Sequence, residues 1–110
     1  MPNRDIPKKG RGWMIKSFGN KTAEDLAAGR TSTRQARLLP RQHMQRAMDL
    51  LELMEASVNV LDFKIPPSNR LHKLEGDRKD YWSVTVRDGW RIIFRFDNGF
   101  YWDVKILDYH

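Results

Sequence analysis

None of the 110 residues is a cysteine. This excludes disulfide staples, thiolate metal sites and a cysteine nucleophile, and it suits a reducing, cytoplasmic setting. Long apolar runs are missing too. No stretch approaches the roughly 20 residues a helix needs to cross a bilayer, and residues 1–13 carry prolines and charges where the apolar part of a secretory signal would sit. Neither a membrane-spanning protein nor a disulfide-framed secreted domain is expected. What is present is a hydrophobic fraction of 40%, too high for a disordered chain and suited to one compact domain around a single core.

Acidic residues are scarce at one end. Residues 1–46 hold eleven Lys and Arg against three Asp and Glu, and the rest hold nine against eleven, within a net charge of +6. Segregated positive charge favours a polyanionic partner. RNA or DNA ranks ahead of a membrane surface, because no segment joins a basic face to a strongly apolar one. The twelve Phe, Trp and Tyr residues suit a packed core or a nucleic-acid surface equally well.

Residues 1–13, with Pro2, Pro7, Gly10 and Gly12 among Lys8, Lys9 and Arg11, lack any apolar period and read as a mobile basic tail. The domain is expected to span residues 14–110. Met14-Ile15-Lys16-Ser17-Phe18 reads as a strand ended by Gly19-Asn20. Thr22 and Asp25 resemble a capping box, after which Leu26 begins a short helix that stops at Gly29. Pro40 suits the first turn of a second helix, along which Met44, Ala47, Met48, Leu51 and Met54 recur at helical spacing to about Ala56. Such a methionine stripe fits a partner groove or core packing, and core is the expectation. His43 reads as a surface residue.

After Pro66-Pro67 the period changes from helix to strand. Strands are predicted over residues 71–74, 81–87, 90–96 and 101–107, with the last three joined at Asp88-Gly89 and Asn98-Gly99 into an antiparallel meander. Alternation puts Trp82, Val84, Val86, Trp90, Ile92, Phe94, Phe96, Trp102, Val104 and Ile106 on one apolar face. Ser83, Thr85, Arg87, Arg91, Ile93, Arg95, Tyr101, Asp103, Lys105, Leu107 and Tyr109 fall on the other. Two readings of that polar face are open: an RNA surface, with Arg on phosphates and Tyr on bases, or a solvated face with cross-strand pairs such as Arg91 or Arg95 with Asp103.

The segment running from Leu71-His72-Lys73-Leu74-Glu75-Gly76-Asp77-Arg78 through Trp82 to Arg87, followed by Trp90-Arg91-Ile92-Ile93-Phe94-Arg95-Phe96, resembles the HigB toxins of the RelE/ParE superfamily. So does the terminal Asp108-Tyr109-His110, and Met14 to Phe18 is similar to the family's beginning. The resemblance implies an α+β, RelE-like fold, a curved antiparallel sheet with two N-terminal helices packed on one face. It implies the toxin of a type II toxin-antitoxin system, an endoribonuclease that cleaves mRNA on the 70S ribosome by attack of the RNA's own 2′-hydroxyl and needs no metal or cofactor. The partner it implies is a HigA-like helix-turn-helix antitoxin, with operator DNA bound only through that complex.

By resemblance the functional positions are His72, Arg91, Asp108, Tyr109 and His110. Arg91 would hold the phosphate, His110 or His72 would move protons, Asp108 would set a tautomer or bind substrate, and Tyr109 would stack or donate. Arg78, Arg87 and Arg95 would grip phosphates or serve as solubilising charges. One position departs from the family, which commonly has lysine where this chain has Glu75. Three consequences are open: weaker charge stabilisation, replacement by Lys73 two positions back on the same side of the strand, or Glu75 itself as the base. Two other functions compete, a gyrase poison of the ParE branch, whose members lack the terminal Asp-Tyr-His, and an inactive RNA-binding module.

Overall fold

The computed structural model describes residues 14–109; the expected basic tail and His110 lie outside the described residues. Helices α1 (Lys21–Ala27) and α2 (Arg41–Ala56) precede strands β1 (His72–Lys73), β2 (Trp82–Arg87), β3 (Trp90–Asp97) and β4 (Phe100–Asp108). The strands form one antiparallel sheet in the order β1-β2-β3-β4. Short 3-10 turns at Ala36–Leu38, Val60–Lys64, Pro67–Asn69 and Gly76–Arg78 fill the connections. No helix among the described residues is long and apolar enough to cross a membrane.

Helix α1 starts earlier than expected, because Asn20 and not Thr22 is its cap. Asn20 has extended backbone (φ −148°) and its Oδ1 accepts from the Ala23 amide at 3.1 Å. Asparagine outranks threonine in that position. Thr22 instead donates to Gln35 O at 2.9 Å. Asp25 is buried and accepts from Thr33 Oγ1 (2.6 Å), Arg30 Nε (3.1 Å) and Lys21 Nζ (3.2 Å), which ties the irregular basic segment after α1 back onto the helix.

The Thr33 hydroxyl, with the two cations, holds the Asp25 carboxyl down at about 2 against an ordinary 3.8. A carboxylate with a depressed folded-state pKa stabilises the fold above its unfolded pKa and ceases to do so as pH falls. The thermal midpoint is therefore expected to drop between pH 4 and pH 2, and to drop less in Asp25→Asn. Parallel pH profiles for the two proteins would remove Asp25 from the acid response.

Pro40 sits just before α2, at the cap (φ −53°, ψ 139°), and not in its first turn. The buried stripe of α2 is His43, Ala47, Leu50, Leu51 and Met54. His43 is thus no surface residue: it is only 4% exposed, since its spacing of four from Ala47 and seven from Leu50 puts it on the core stripe. Met54 is buried, and Met44 and Met48 pack half-buried against the core, as the core reading of the methionines anticipates.

One cluster of buried side chains joins Ala23 and Leu26 of α1, Ala47, Leu50, Leu51 and Met54 of α2, Phe63, and Val84, Val86, Ile92, Phe94, Tyr101, Val104 and Ile106 of the sheet. Its centre is aromatic. The Tyr101 ring lies 5.2 Å from Phe94, 4.9 Å from Phe96 and 6.1 Å from Phe63, all in tilted or edge-on contacts.

Tyr101 is a correction to the alternation, which had Tyr101 on the polar face and Trp102 in the core. The β3–β4 register shifts between Ile93 and Arg95, so Ile93 faces Lys105 while Arg95 faces Trp102 and Phe96 faces Tyr101. Asp103, with φ 55°, carries the extra residue. A bulge of this kind exchanges the faces of every residue beyond it. A second shift, between Thr85 and Arg87, brings Arg87 opposite Trp90 and off the face it was expected to share with Arg91. The Asn98–Gly99 turn has positive φ at both residues (59° and 85°), the geometry that lets two residues reverse a right-twisted hairpin.

The expected first strand is present as two isolated parallel bridges on β4, Ile15 with Tyr101 and Phe18 with Val104. Tyr101 N donates to Met14 O and Lys16 N to Tyr101 O, both at 2.8 Å, and Gly19 N donates to Val104 O at 2.8 Å. Asn20 continues the pattern with its side chain, donating through Nδ2 to Ile106 O at 2.9 Å and accepting from Ile106 N at 3.3 Å. β1 is shorter than expected, and Gly76 in a left-handed conformation (φ 70°) opens the turn that follows it.

Candidate functional site

The sheet face turned away from the aromatic cluster carries Arg91 near its middle. Register sets its neighbours: Thr85 and Leu107 flank Arg91, and in the next row His72, Ser83, Ile93 and Lys105 align. Ile93 is fully buried yet lies outside the core cluster, so this face has a covered apolar floor of its own beneath longer polar side chains. Arg91 Nη1 donates to Thr85 Oγ1 at 3.2 Å and to Ser83 Oγ at 3.4 Å. Hydroxyls orient a guanidinium without neutralising it, which leaves the positive charge half-buried and aimed.

Tyr109 completes this group. Its ring lies 5.8 Å from the Arg91 guanidinium and 5.9 Å from that of Arg78, and Arg78 Nη1 donates to the Tyr109 hydroxyl at 3.1 Å. An aromatic ring between two guanidinium groups is a cation–π arrangement that fixes the ring. Because the Tyr109 oxygen accepts from Arg78, its own O–H proton is free to be donated elsewhere. The Tyr109 amide donates to Gly89 O at 2.8 Å, which anchors the chain end to the β2–β3 turn.

His72 stands on β1 opposite Ser83, on the same face as Arg91 but two strands away and in the adjoining row. Its Nδ1 is 2.8 Å from Arg70 O. A carbonyl oxygen only accepts, so Nδ1 carries the hydrogen and Nε2 of the neutral ring presents its lone pair, the form a general base requires.

Other sequence candidates fall elsewhere. Lys73 aligns with Trp82 on the side of the aromatic cluster, with its Nζ 5.3 Å from the Trp82 ring. β1 ends at Lys73, so Glu75 is not two residues along the same strand; it is exposed and precedes the 3-10 turn Gly76–Arg78. Asp108 pairs with Trp90, on the opposite side from Leu107 and Arg91. Arg87 is exposed beside the β2–β3 turn. Arg95 donates from Nε to Asp103 Oδ2 at 2.9 Å, which raises its pKa further; this is the ion pair of the solvated reading, weakened by its exposure. His110 is outside the described residues.

A model of the HigB family, described as the RelE-like toxin of the type II toxin-antitoxin system HigB, matches residues 30–110. The chain is also 38% identical over 98 residues to the Endoribonuclease HigB of Proteus vulgaris, an alignment covering 88% of this chain and 100% of that protein. The chain belongs to the HigB-like toxin family. A second HigB relative, Toxin HigB-1 of Vibrio cholerae serotype O1, is 35% identical over 63 residues, 57% of this chain and 66% of that protein.

The HigB family match contains every element of the site, from β1 to Tyr109, and the family is by definition one half of a toxin-antitoxin pair. Two features of this candidate site escaped the sequence reading. Ser83 and Thr85 were assigned to the right face but not to Arg91, because only the bulge in β2 brings Thr85 opposite it. The pairing of Arg78 with Tyr109 joins residues 31 apart with three strands between them, a contact with no sequence signal.

Proposed function

We propose that this chain is the toxin of a type II toxin-antitoxin pair and acts as a ribosome-dependent endoribonuclease on mRNA. The observation that carries the reading is the convergence of Arg91, Arg78 and Tyr109 on one exposed face, with His72 in the adjoining row of that face. Phosphodiester cleavage by an internal nucleophile forms a bond from the 2′-oxygen to phosphorus and breaks the bond to the 5′-oxygen. It needs a base for the 2′-OH, an acid for the departing oxygen and positive charge at the phosphorane-like transition state. Arg91 supplies the charge, Arg78 grips a neighbouring phosphate and holds Tyr109, and His72 or His110 exchanges the protons. Side chains alone supply these roles, so the reaction proceeds without a metal.

Residues 14–110 constitute the toxin domain in this reading, with a RelE-like arrangement in which both helices cover one face of a curved sheet. The protein works in the cytoplasm. A HigA-like helix-turn-helix antitoxin restrains it and carries it to operator DNA.

Induced expression in a bacterial host, with mapping of mRNA 5′ ends, tests the proposal. The intact chain is expected to arrest growth and generate new 5′ ends, and removal of Asp108, Tyr109 and His110 to abolish both. Glu75→Lys is expected to raise the cleavage rate if Glu75 attenuates the site and to lower it if Glu75 is the base. Growth arrest without new 5′ ends would replace the nuclease reading with a gyrase-type poison.

A further inference from the structure

His43 and Arg46 lie one turn apart on α2, and neither touches the face that carries Arg91. Each nevertheless ends on a backbone turn from which a site residue is presented. His43 Nε2 is 3.3 Å from Asp88 Oδ2, within ion-pair distance of the carboxylate. Asp88 opens the β2–β3 turn in a left-handed conformation (φ 56°). The next residue, Gly89, accepts the Tyr109 amide through its carbonyl. The grip on Asp88 therefore sits one residue from the carbonyl that anchors the Tyr109 backbone.

Arg46 does the same for the other end of the site. Its Nη2 donates to Thr85 O at 2.8 Å and to Asn69 Oδ1 at 3.0 Å, and its Nε donates to Val86 O. Thr85 and Val86 are the carbonyls at the β2 bulge, so Arg46 holds the bulge that brings Thr85 opposite Arg91. Asn69 in turn donates to Phe63 O and Ile65 O, and the following residue, Arg70, is left-handed (φ 51°, ψ 47°) with its carbonyl on His72 Nδ1.

We infer that α2 is the positioning element of the cleavage site, with His43 holding the turn that anchors Tyr109 and Arg46 holding the bulge and the turn that present Thr85 and His72. The inference rests on the nuclease reading for its functional meaning, but its geometry stands apart from it. Stability alone is a poor account of His43. Its Nδ1 is buried without a hydrogen-bond partner among the described residues, and an apolar side chain on the same stripe would carry no such cost. A grip that fixes reacting groups is the kind of contact whose loss slows chemistry from a distance, since a displacement of about 1 Å can lower a rate roughly a hundredfold.

The test uses the full chain with His43→Leu, which fills the stripe, and Asp88→Gly, which removes the same contact from the exposed side and accepts the positive φ. Two readouts separate the inference from the nuclease reading. The first is amide hydrogen exchange: both variants are expected to exchange the Tyr109 amide about tenfold faster while core amides such as Phe94 keep their protection. The second is cleavage of mRNA on programmed ribosomes. Both variants are expected to lower kcat about 10- to 100-fold with KM within about twofold, and His43→Gln, which restores an N–H donor, to recover most of it. In a Tyr109→Ala background, His43→Leu is expected to have no further effect. Unchanged exchange at Tyr109, or an equal loss of kcat with and without Tyr109, overturns the inference. Faster exchange at Tyr109 in a protein that cleaves no mRNA would sustain the positioning of Tyr109 and remove the nuclease reading.

Discussion

Arg91→Met is expected to lower mRNA cleavage by about two to three orders of magnitude, the scale on which a preorganised charge at a developing anion acts. Three features of the site set that size. The guanidinium is half-buried, so water screens it incompletely; it is aimed by the Thr85 and Ser83 hydroxyls, which leave its charge intact; and the Tyr109 ring lies 5.8 Å away on one side. Arg91→Lys is expected to recover only a small fraction, because an ammonium cannot bond both hydroxyls and a phosphate in the same plane. Single-turnover cleavage on programmed ribosomes, with thermal unfolding alongside, measures this. A threefold effect or less for Arg91→Met in a folded protein would show that charge at Arg91 does not act on the transition state.

The largest effect on stability is expected from Tyr101→Ala, at about 3–5 kcal/mol, the range for truncating a buried aromatic residue. Tyr101 is fully buried at the meeting point of Phe63, Phe94 and Phe96. Its backbone also pairs with Met14 and Lys16, so loosening it frees the N-terminal segment as well. Against a total stability of about 5–15 kcal/mol for a domain of this kind, such a loss would leave a substantial unfolded population. Tyr101→Phe is expected to stay within about 1 kcal/mol, since the hydroxyl is buried without a hydrogen-bond partner among the described residues and removal spares its desolvation. Burial also pushes that phenol up to about 12, so it stays protonated throughout the physiological range. Chemical denaturation of the two variants checks both values.

Tyr101 also shows where alternation alone misleads. A two-residue turn at Asn98–Gly99 pairs Phe96 with Tyr101, and paired residues share a face. Alternation had placed Phe96 inward and Tyr101 outward. The conflict between the turn and the hydrophobic pattern is itself the sign of an extra residue further along, and Asp103 is that residue. The same parity conflict arises at Asp88-Gly89, where Arg87 and Trp90 pair although the pattern put them on opposite sides. Both bulges were therefore implicit in the sequence, but their positions were not, because any residue beyond the turn could have taken the extra place.

The strands after Pro66, α2 and the apolar face as far as Phe96 were legible because each has a strong period and a turn signal at its end. The start of α1 was not, because Asn20 and Thr22 both offer capping chemistry two residues apart and only the contact of Thr22 with Gln35 decides between them. Of the candidate site, His72, Arg91 and Tyr109 were named through resemblance, and the structure places His72 and Arg91 on one face with Tyr109 against Arg91. His43 was missed because it was read by its neighbours Gln42 and Met44 instead of by its spacing from Ala47, Leu50, Leu51 and Met54. His72 and Lys73 part by simple alternation, whereas the separation of Glu75 from Lys73 follows from a strand only two residues long, which no period could reveal.

Asn20 has a consequence for how this molecule meets other chains. Its side chain bonds Ile106 as a strand backbone would, and with the amides and carbonyls of residues 14–19 it occupies the outer edge of β4 from Tyr101 to Ile106. An edge whose hydrogen-bonding groups are already taken cannot template a neighbour. The opposite edge, β1, offers only two residues. A toxin freed from its antitoxin thus has the β4 edge covered by its own N-terminal segment, and at the other side of the sheet β1 offers an added strand only two residues, His72 and Lys73.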